Sequence, residues 1–267
     1  MKSIVLKILF IPILIRRLLL NSITRHHIIS YPKSGRTWAR FFLAEYFTEL
    51  YGIKRRFNFR TFFKAHKEIP RFDFNHGNFH GQTLTPLNNY IKSLSGHKVL
   101  LLVRDPRDVV VSLHHHSQHR QNMLDSKGMD LDAFIKHDQL GISRIVEYFN
   151  TWYRHRDVFD DFKIVSYEEL KCKNTVTPLE VFPQFLEQQI DAKAIVIATQ
   201  NSDFKNMKQH ERSGESDSQI LRTPDVENEN SYKVRKGKVG SHREEMSDES
   251  IKYCERELKK LNLVFGY

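Results

Sequence analysis

The chain has 267 residues, of which 40% are apolar and 28% are charged, so its composition excludes a disordered protein and allows one large domain with a sizeable core. The 42 lysines and arginines exceed the 32 aspartates and glutamates, which gives a net charge of +10 and favours anionic partners. Two cysteines, Cys172 and Cys254, are too few for a disulfide framework or a zinc pattern, and they fit a reducing, cytoplasmic compartment.

Residues 1–24 form an apolar and basic segment ahead of a single domain that we expect over residues 25–267. A spanning helix needs about 20 apolar residues, whereas the charge-free stretch 8–15 is short and contains Pro12. No small-residue cleavage site follows, which argues against a secretory signal. A packed N-terminal helix, a signal anchor, and peripheral contact of residues 4–20 with an anionic membrane remain open.

Continuous apolar strands alternate with helical patterns along the rest of the chain. Strands are predicted at residues 26–30, 97–103 and 162–167, and helices from Thr37, from the N-cap pair Asp105 and Pro106, at 177–189, at 191–200 and near 247–261. Residues 211–231 are rich in polar side chains and are predicted to be a loop. This alternation indicates a single α/β domain with a central parallel sheet and helices on both faces.

The segment "YPKSGRTW", residues 31–38, lies at the carboxyl end of the first predicted strand, where ligands bind in such sheets. Gly35 lets the backbone approach a ligand. The following helix offers unpaired N–H groups and the positive end of its dipole, to which Lys33, Arg36 and Thr37 add donors. A phosphate is the natural occupant, and an ordinary strand–helix turn is the alternative. The lysine precedes the glycine, unlike the G-x-x-x-x-G-K-[ST] loop, which argues against an ordinary ATPase or kinase.

Three segments together resemble the motifs of the cytosolic-type sulfotransferases that use 3′-phosphoadenosine 5′-phosphosulfate (PAPS). "YPKSGRTW" is similar to their 5′-phosphosulfate loop, YPKSGTTW, with Arg36 in place of a threonine. "VRDPRDVVVS", residues 103–112, resembles their 3′-phosphate motif, and "RKGKVG", residues 235–240, resembles their RKGxxG signature. Ser241 and His242 replace the Asp-Trp that follows in the family, which puts the closure of that loop in doubt.

The resemblance implies a P-loop NTPase-like sulfotransferase fold and transfer of a sulfuryl group from PAPS to a hydroxyl or amine, with release of adenosine 3′,5′-bisphosphate (PAP). It implies that Lys33 contacts the 5′-phosphate and the bridging oxygen. The other implied PAPS-binding residues are Ser34, Gly35, Arg36, Thr37, Trp38, Arg104, Ser112, Tyr167, Ser202, Phe204, Arg235, Lys236 and Gly237.

"FKAHKEIP", residues 63–70, resembles the family's FKTHLP segment, which makes His66 the predicted general base. A histidine titrates near physiological pH, which suits removal of a proton from an acceptor hydroxyl. Lys64 is then predicted to hold the transferring sulfuryl group. The run "HHH" at residues 114–116 invites a metal site, but three adjacent helix positions cannot face one ion, and we expect no metal.

Two other classes of function stay open. A P-loop NTPase or kinase would carry a Walker glycine pattern, which this sequence lacks. The presence of Lys33 and His66 argues against a non-catalytic nucleotide-binding protein. For the sulfotransferase we expect a small-molecule, glycan or lipid acceptor with a hydroxyl, and no nucleic acid. We expect the acceptor pocket to be built from loops at residues 71–90, 120–140 and 211–231. The acceptor and the oligomeric state are not readable from the sequence.

Overall fold

The computed structural model of the chain describes residues 25–53, 62–77, 85–120, 123, 126–171, 177–213, 221, 223 and 225–267. The N-terminal segment lies outside these residues, so the predicted membrane contact of residues 4–20 stays a prediction. Within the described residues no helix has the length and apolar character needed to cross a membrane.

The chain alternates strands and helices, as the sequence predicts. The strands are β1 (His26–Ser30), β2 (Phe72–Asn75), β3 (Lys98–Val103) and β4 (Asp161–Ser166). The helices are α1 (Arg36–Tyr51), α2 (Phe62–Ala65), α3 (Thr85–Ser93), α4 (Pro106–His119), α5 (Leu131–Lys136), α6 (Ile142–Arg154), α7 (Tyr167–Leu170), α8 (Val181–Phe185), α9 (Ala192–Asn201), α10 (Phe204–Ser213) and α11 (Asp248–Leu258).

The four strands form one parallel sheet in the order β2-β1-β3-β4. The predicted strands β1, β3 and β4 are confirmed. The edge strand β2 is an addition, because its two phenylalanines alternate with Asp73 and Asn75 and carry no continuous apolar run. Its parallel pairing with β1 brings the residue after Asn75 to the same edge of the sheet as the loop after Ser30.

Side chains from the two faces of the sheet enter two separate cores. Ile29 and Leu101 lie in the core that α4, α6 and α11 cover, whereas Ile28 and Leu100 lie in the core that α1 and α9 cover. Every one of these four side chains is fully buried. The expectation of helices on both faces of a parallel sheet is therefore confirmed.

Several predicted boundaries are wrong. The helix expected over 177–189 is a 3₁₀ turn, Thr177–Glu180, followed by α8, and Glu187 with a φ of 56° lies in left-handed backbone just beyond it. The expected loop 71–90 contains β2 and much of α3, and the expected loop 120–140 contains α5. The described residues at the start of the expected loop 211–231 complete α10.

Candidate active site

A cavity of about 500 Å³ opens at the carboxyl ends of the strands. Each strand contributes residues that follow it to the wall, and the segment 233–241 closes the other side. The sequence-predicted residues on the wall are Lys33, Gly35, Arg36, Thr37, Trp38, Arg104, Ser112, Tyr167, Phe204, Arg235, Lys236 and Gly237. The fold thus gathers segments that are more than 200 positions apart in the sequence, at the sheet edge where parallel α/β proteins bind ligands.

The loop after β1 is shaped for an anion. Lys33 adopts a φ of 73°, in the left-handed region that favours glycine. Among the described residues other than glycine, Glu187 alone also has a positive φ. Gly35 precedes α1, which has no side-chain N-cap, so its first N–H groups are left for a ligand. Burial, with the nearby charges of Lys233 and Arg120, lowers the pKa of Lys33 to about 7. An anion bound here would restore the charge of this lysine.

Two glycines let the loop after β1 and the segment 235–240 lie directly on aromatic rings. A Cβ on Gly35 would be 2.4 Å from Cδ2 of Tyr167, and a Cβ on Gly237 would be 2.4 Å from Cδ2 of Phe204. Trp38 completes the wall, with its ring centroid 6.3 Å from that of Tyr167 in an edge-on arrangement. These rings give the cavity an aromatic wall, and aromatic faces accept a base by stacking.

We expect Gly35→Ala to destabilise the protein and to weaken anion binding. Its φ of 95° costs an alanine about 1–2 kcal/mol, and the overlap with Tyr167 adds about 1–3 kcal/mol. Gly52→Ala is the matched control, because Gly52 also has a positive φ but nothing within 4 Å of its Cβ position. Chemical denaturation should show the larger loss for Gly35→Ala. Equal losses for the two variants would contradict the packing of Tyr167 on this loop.

Arg104 ties three segments of the wall together. Its guanidinium donates to the Lys33 carbonyl at 3.5 Å, to the Asp108 carboxylate at 3.2 Å and to the Lys238 carbonyl at 3.2 Å. It also lies over the Tyr167 ring, 4.9 Å from the centroid. Its Nε is buried and has no hydrogen-bond partner among the described residues, so a donor remains for a ligand.

Asp108 anchors the segment that carries the RKGxxG signature. Its carboxylate accepts hydrogen bonds from the Gly240 N–H at 2.8 Å and from the N–H and Nδ1 of His242 at 3.0 and 2.9 Å. Burial would raise the pKa of Asp108, but the bond from His242 and the charge of Arg104 outweigh it and lower that pKa to about 2. The replacement of Asp-Trp by Ser241 and His242 therefore leaves this loop firmly held.

Arg235 and Lys236 reach the wall from the same segment and share one carboxylate. Both donate to Oε1 of Glu245 at 2.9 Å, and His115 pairs with Oε2 of Glu245 at 2.5 Å. Together with Arg104 and the Ser112 hydroxyl, these cations line one part of the cavity. Such a group of guanidinium, ammonium and hydroxyl donors suits a phosphate monoester.

The predicted base His66 does not line this cavity. Its ring packs against Phe62, with centroids 5.3 Å apart, just beyond the short helix α2. Lys64 lies in α2, and its side chain is outside the described structure. Ser34 and Ser202 are buried away from the cavity wall, and the Ser202 carbonyl accepts the indole N–H of Trp38 at 3.0 Å.

A different histidine, His76, lines the cavity at the carboxyl end of β2. Its Nδ1–H donates a 2.8 Å hydrogen bond to the Ser30 carbonyl, so its Nε2 carries the lone pair and makes no hydrogen bond to a described residue. Burial and the charges of Arg36, Arg40 and Lys233 hold the pKa of His76 well below 6.5, against the opposing bond to Ser30. The imidazole is neutral at pH 7 and has the form that a general base requires.

The cavity also receives cations that the sequence did not single out. Lys233 lies two positions before the RKGxxG signature, and Lys171 lies 4.5 Å from the centroid of the Trp38 ring. Among the described residues no group of three or more His, Cys, Asp or Glu side chains is placed to hold a metal ion. In the "HHH" run, His114 bonds the Met129 carbonyl and His115 bonds Glu245.

A family model for the sulfotransferase domain matches residues 24–261. The chain belongs to the sulfotransferase family. It is 31% identical over 163 residues to a 3-beta-hydroxysteroid sulfotransferase of Cavia porcellus, covering 58% of this chain and 53% of that protein. The chain thus spans about half the length of that curated relative. An amine sulfotransferase of Oryctolagus cuniculus is 25% identical over 260 residues, covering 89% of this chain and 82% of that protein.

The fold is also that of solved sulfotransferases. The mouse sulfotransferase SULT7A1, crystallised in complex with PAP, superposes with a TM-score of 0.60 and 23% sequence identity. The superposition covers 90% of this chain and 86% of the mouse protein. At this identity the likeness establishes the shared sulfotransferase fold, in agreement with the fold that the three motifs imply.

Proposed function

We propose that this protein is a PAPS-dependent sulfotransferase that moves a sulfuryl group to a hydroxyl or amine of a small acceptor. One observation carries the proposal: a single cavity holds a phosphate-binding loop, a second cluster of phosphate donors, an aromatic wall and a neutral histidine. A nucleotide with anionic groups at both its 3′ and 5′ positions matches the first three features. The PAP in the mouse neighbour and the names of the curated relatives support this reading.

In this proposal Arg104, Arg235 and Lys236 hold the 3′-phosphate, with Ser112 beside them. The adenine lies on the wall of Trp38, Tyr167 and Phe204, which two glycines bring against the phosphate loops. Lys33 and the free N–H groups at the start of α1 hold the 5′-phosphosulfate. Arg104 supports this arrangement because it touches the Lys33 carbonyl from the 3′ side and links the two anion sites.

The chemistry assigned to the site is an in-line displacement at sulfur. Nε2 of His76 takes the proton from the acceptor hydroxyl as the acceptor oxygen forms its bond to sulfur. The bond from sulfur to the bridging oxygen breaks, and the ammonium of Lys33 stabilises the charge that this oxygen gains. Positioning and electrostatic stabilisation supply most of the rate, as in phosphoryl transfer.

His76 takes the place of His66 in this mechanism for a geometric reason. A general base has to come within hydrogen-bond distance of the proton it removes. His76 lines the cavity and its Nε2 is unprotonated, whereas His66 lies against Phe62 and off the wall. The base assignment to His66 remains a sequence prediction that mutation can test.

The nucleotide assignment is tested by binding. Arg104→Ala should weaken PAP by about 10- to 100-fold, the value of one or two charge-assisted bonds, and should weaken AMP much less because AMP lacks the 3′-phosphate. Arg107→Ala is the matched control, since Arg107 pairs with Asp105 and does not line the cavity. Titration calorimetry measures both ligands.

Equal losses for PAP and AMP in Arg104→Ala would remove Arg104 from the 3′ subsite. A protein that binds ATP with magnesium but not PAP would be a nucleotide phosphotransferase instead. Turnover of sulfur-labelled PAPS with a panel of phenols, alcohols and amines separates an enzyme from a non-catalytic binding protein.

A further inference from the structure

The part of the cavity near His76 holds more positive charge than its surroundings compensate. The cations assigned to the 3′-phosphate each have a carboxylate: Arg104 pairs with Asp108, and Arg235 and Lys236 share Glu245. Arg36 and Lys233 also line the cavity, but their side chains make no hydrogen bond or ion pair with any residue that the structure describes. These two cations are therefore left for a ligand.

The surroundings of Arg36 and Lys233 disfavour unpaired charge. Burial, with the charges of Arg120, Arg36 and Arg40, lowers the pKa of Lys233 to about 8. Burial and the charge of Arg40 likewise lower the pKa of Arg36. Desolvated cations are costly unless a counter-ion accompanies them. A bound anion would relieve both.

The nearby carboxylates do not fill this role. Glu211, whose charge also acts on Lys233, is buried and already accepts from the Arg120 guanidinium at 3.0 Å and from the backbone N–H groups of Lys233 and Val234 at 2.7 and 2.9 Å. Asp73 is exposed, and its Oδ2 accepts a 2.7 Å hydrogen bond from the Asn75 amide. Arg40 donates to the Phe74 carbonyl at 2.9 Å and lies over the Phe74 ring. Arg36 and Lys233 thus face the cavity, on the side where both act electrostatically on His76.

The nucleotide accounts for the other cations. In the proposed function the 3′-phosphate takes hydrogen bonds from Arg104, Arg235 and Lys236, which already share the charges of Asp108 and Glu245. The phosphosulfate carries one charge on each half, which Lys33 and the positive end of α1 balance. Arg36 and Lys233 have no part in either anion site as assigned, and the charges of both act on the proposed base His76. The molecule that comes next to His76 is the acceptor.

We propose that the acceptor carries an anionic group, a carboxylate or a phosphate or sulfate ester, close to the hydroxyl that is sulfated, and that Arg36 and Lys233 bind this group. The inference rests on the proposed function and defines its substrate class. It makes Arg36 and Lys233 determinants of specificity: a neutral acceptor leaves both without a partner, whereas an anionic one forms charge-assisted hydrogen bonds with them.

The test uses three matched pairs of probes, namely 2-, 3- and 4-hydroxybenzoate and their methyl esters. The pairs vary the distance between the hydroxyl and the negative charge and keep the ring constant. Calorimetry measures their binding to protein saturated with PAP. In at least one pair the acid should bind about tenfold or more tightly than its ester, since a hydrogen bond to a charged group contributes about 1.5–3 kcal/mol.

Arg36→Gln and Lys233→Gln should each reduce this acid-to-ester ratio by about tenfold through loss of acid binding. Lys171→Gln, which removes a cation at the aromatic wall, should leave the ratio unchanged. The acid-to-ester ratio of the wild-type protein tests the inference without any variant, so the test holds even if a variant does not fold. An acid preference that both variants abolish supports the proposal.

Two results would overturn the inference and leave the proposed function standing. One is a ratio near one for all three pairs in protein that binds PAP. The other is an equal loss of acid and ester in Arg36→Gln, which would assign Arg36 to a part of the site common to every acceptor. Failure of PAP itself to bind would instead overturn the proposed function, and this inference with it.

Discussion

His76→Ala is expected to lower kcat by about 100- to 10,000-fold, the usual contribution of a general base. The reason is that Nε2 of His76 is the unprotonated histidine nitrogen that we assign to the acceptor proton, held in that tautomer by the Ser30 carbonyl. PAP affinity should change little, because we assign the phosphates to other residues. Turnover of labelled PAPS and PAP calorimetry on the same preparation measure the two quantities.

His66→Ala is the matched control, since its ring packs on Phe62 outside the cavity. It should keep kcat near the wild-type value. A large fall in kcat for His66→Ala, with His76→Ala nearly unaffected, would restore the prediction made from the "FKAH" segment.

Because burial and Arg36 hold the pKa of His76 well below 6.5, wild-type activity should persist below pH 6.5. Arg36→Gln should move this acid limb to higher pH by removing a neighbouring positive charge.

Lys33→Met is expected to damage both cofactor binding and turnover. PAP should bind about 10- to 100-fold more weakly, because a charge-assisted bond to the 5′-phosphate is lost, and kcat should fall as well, because the departing oxygen loses its counter-charge. Lys252→Met, which alters an exposed lysine on α11, is the control for the loss of one positive charge. Normal kcat in Lys33→Met with PAP affinity intact would remove Lys33 from both roles.

The same residue links PAP binding to pH. Burial and the charge of Lys233 lower the pKa of Lys33 to about 7. We expect a bound phosphate to raise this pKa again, because an opposite charge favours the ammonium form. Its contribution to affinity is therefore fully present below pH 7 and declines as the pH rises toward the pKa of the bound state. At pH 8, calorimetry in two buffers of different ionisation enthalpy should show proton uptake on PAP binding. Lys33→Met should take up fewer protons.

The sequence by itself determined the elements and loops whose signals are local. The apolar run of β3 and the shorter apolar runs in β1 and β4 predicted a buried parallel sheet, because strands covered on both faces carry apolar side chains on both sides. The Asp105 cap that accepts a 2.9 Å bond from the Arg107 N–H was also predicted, since a cap and its helix are neighbours in the chain. The segments 31–38, 103–112 and 235–240 are contiguous motifs, so their residue types and order were enough to predict most of the cavity wall.

Only the tertiary structure decided which histidine reaches the cavity and which cations surround it. His76 follows β2, a four-residue strand in which phenylalanine alternates with polar residues and which is too short to predict from the sequence alone. The pairing of β2 with β1 brings His76 to the Ser30 carbonyl. Lys233 comes close enough to Lys33, 200 positions earlier in the chain, to lower the pKa of Lys33, and Arg36 in turn lowers the pKa of Lys233. These effects depend on distance and burial, and the linear sequence specifies neither until the chain has folded.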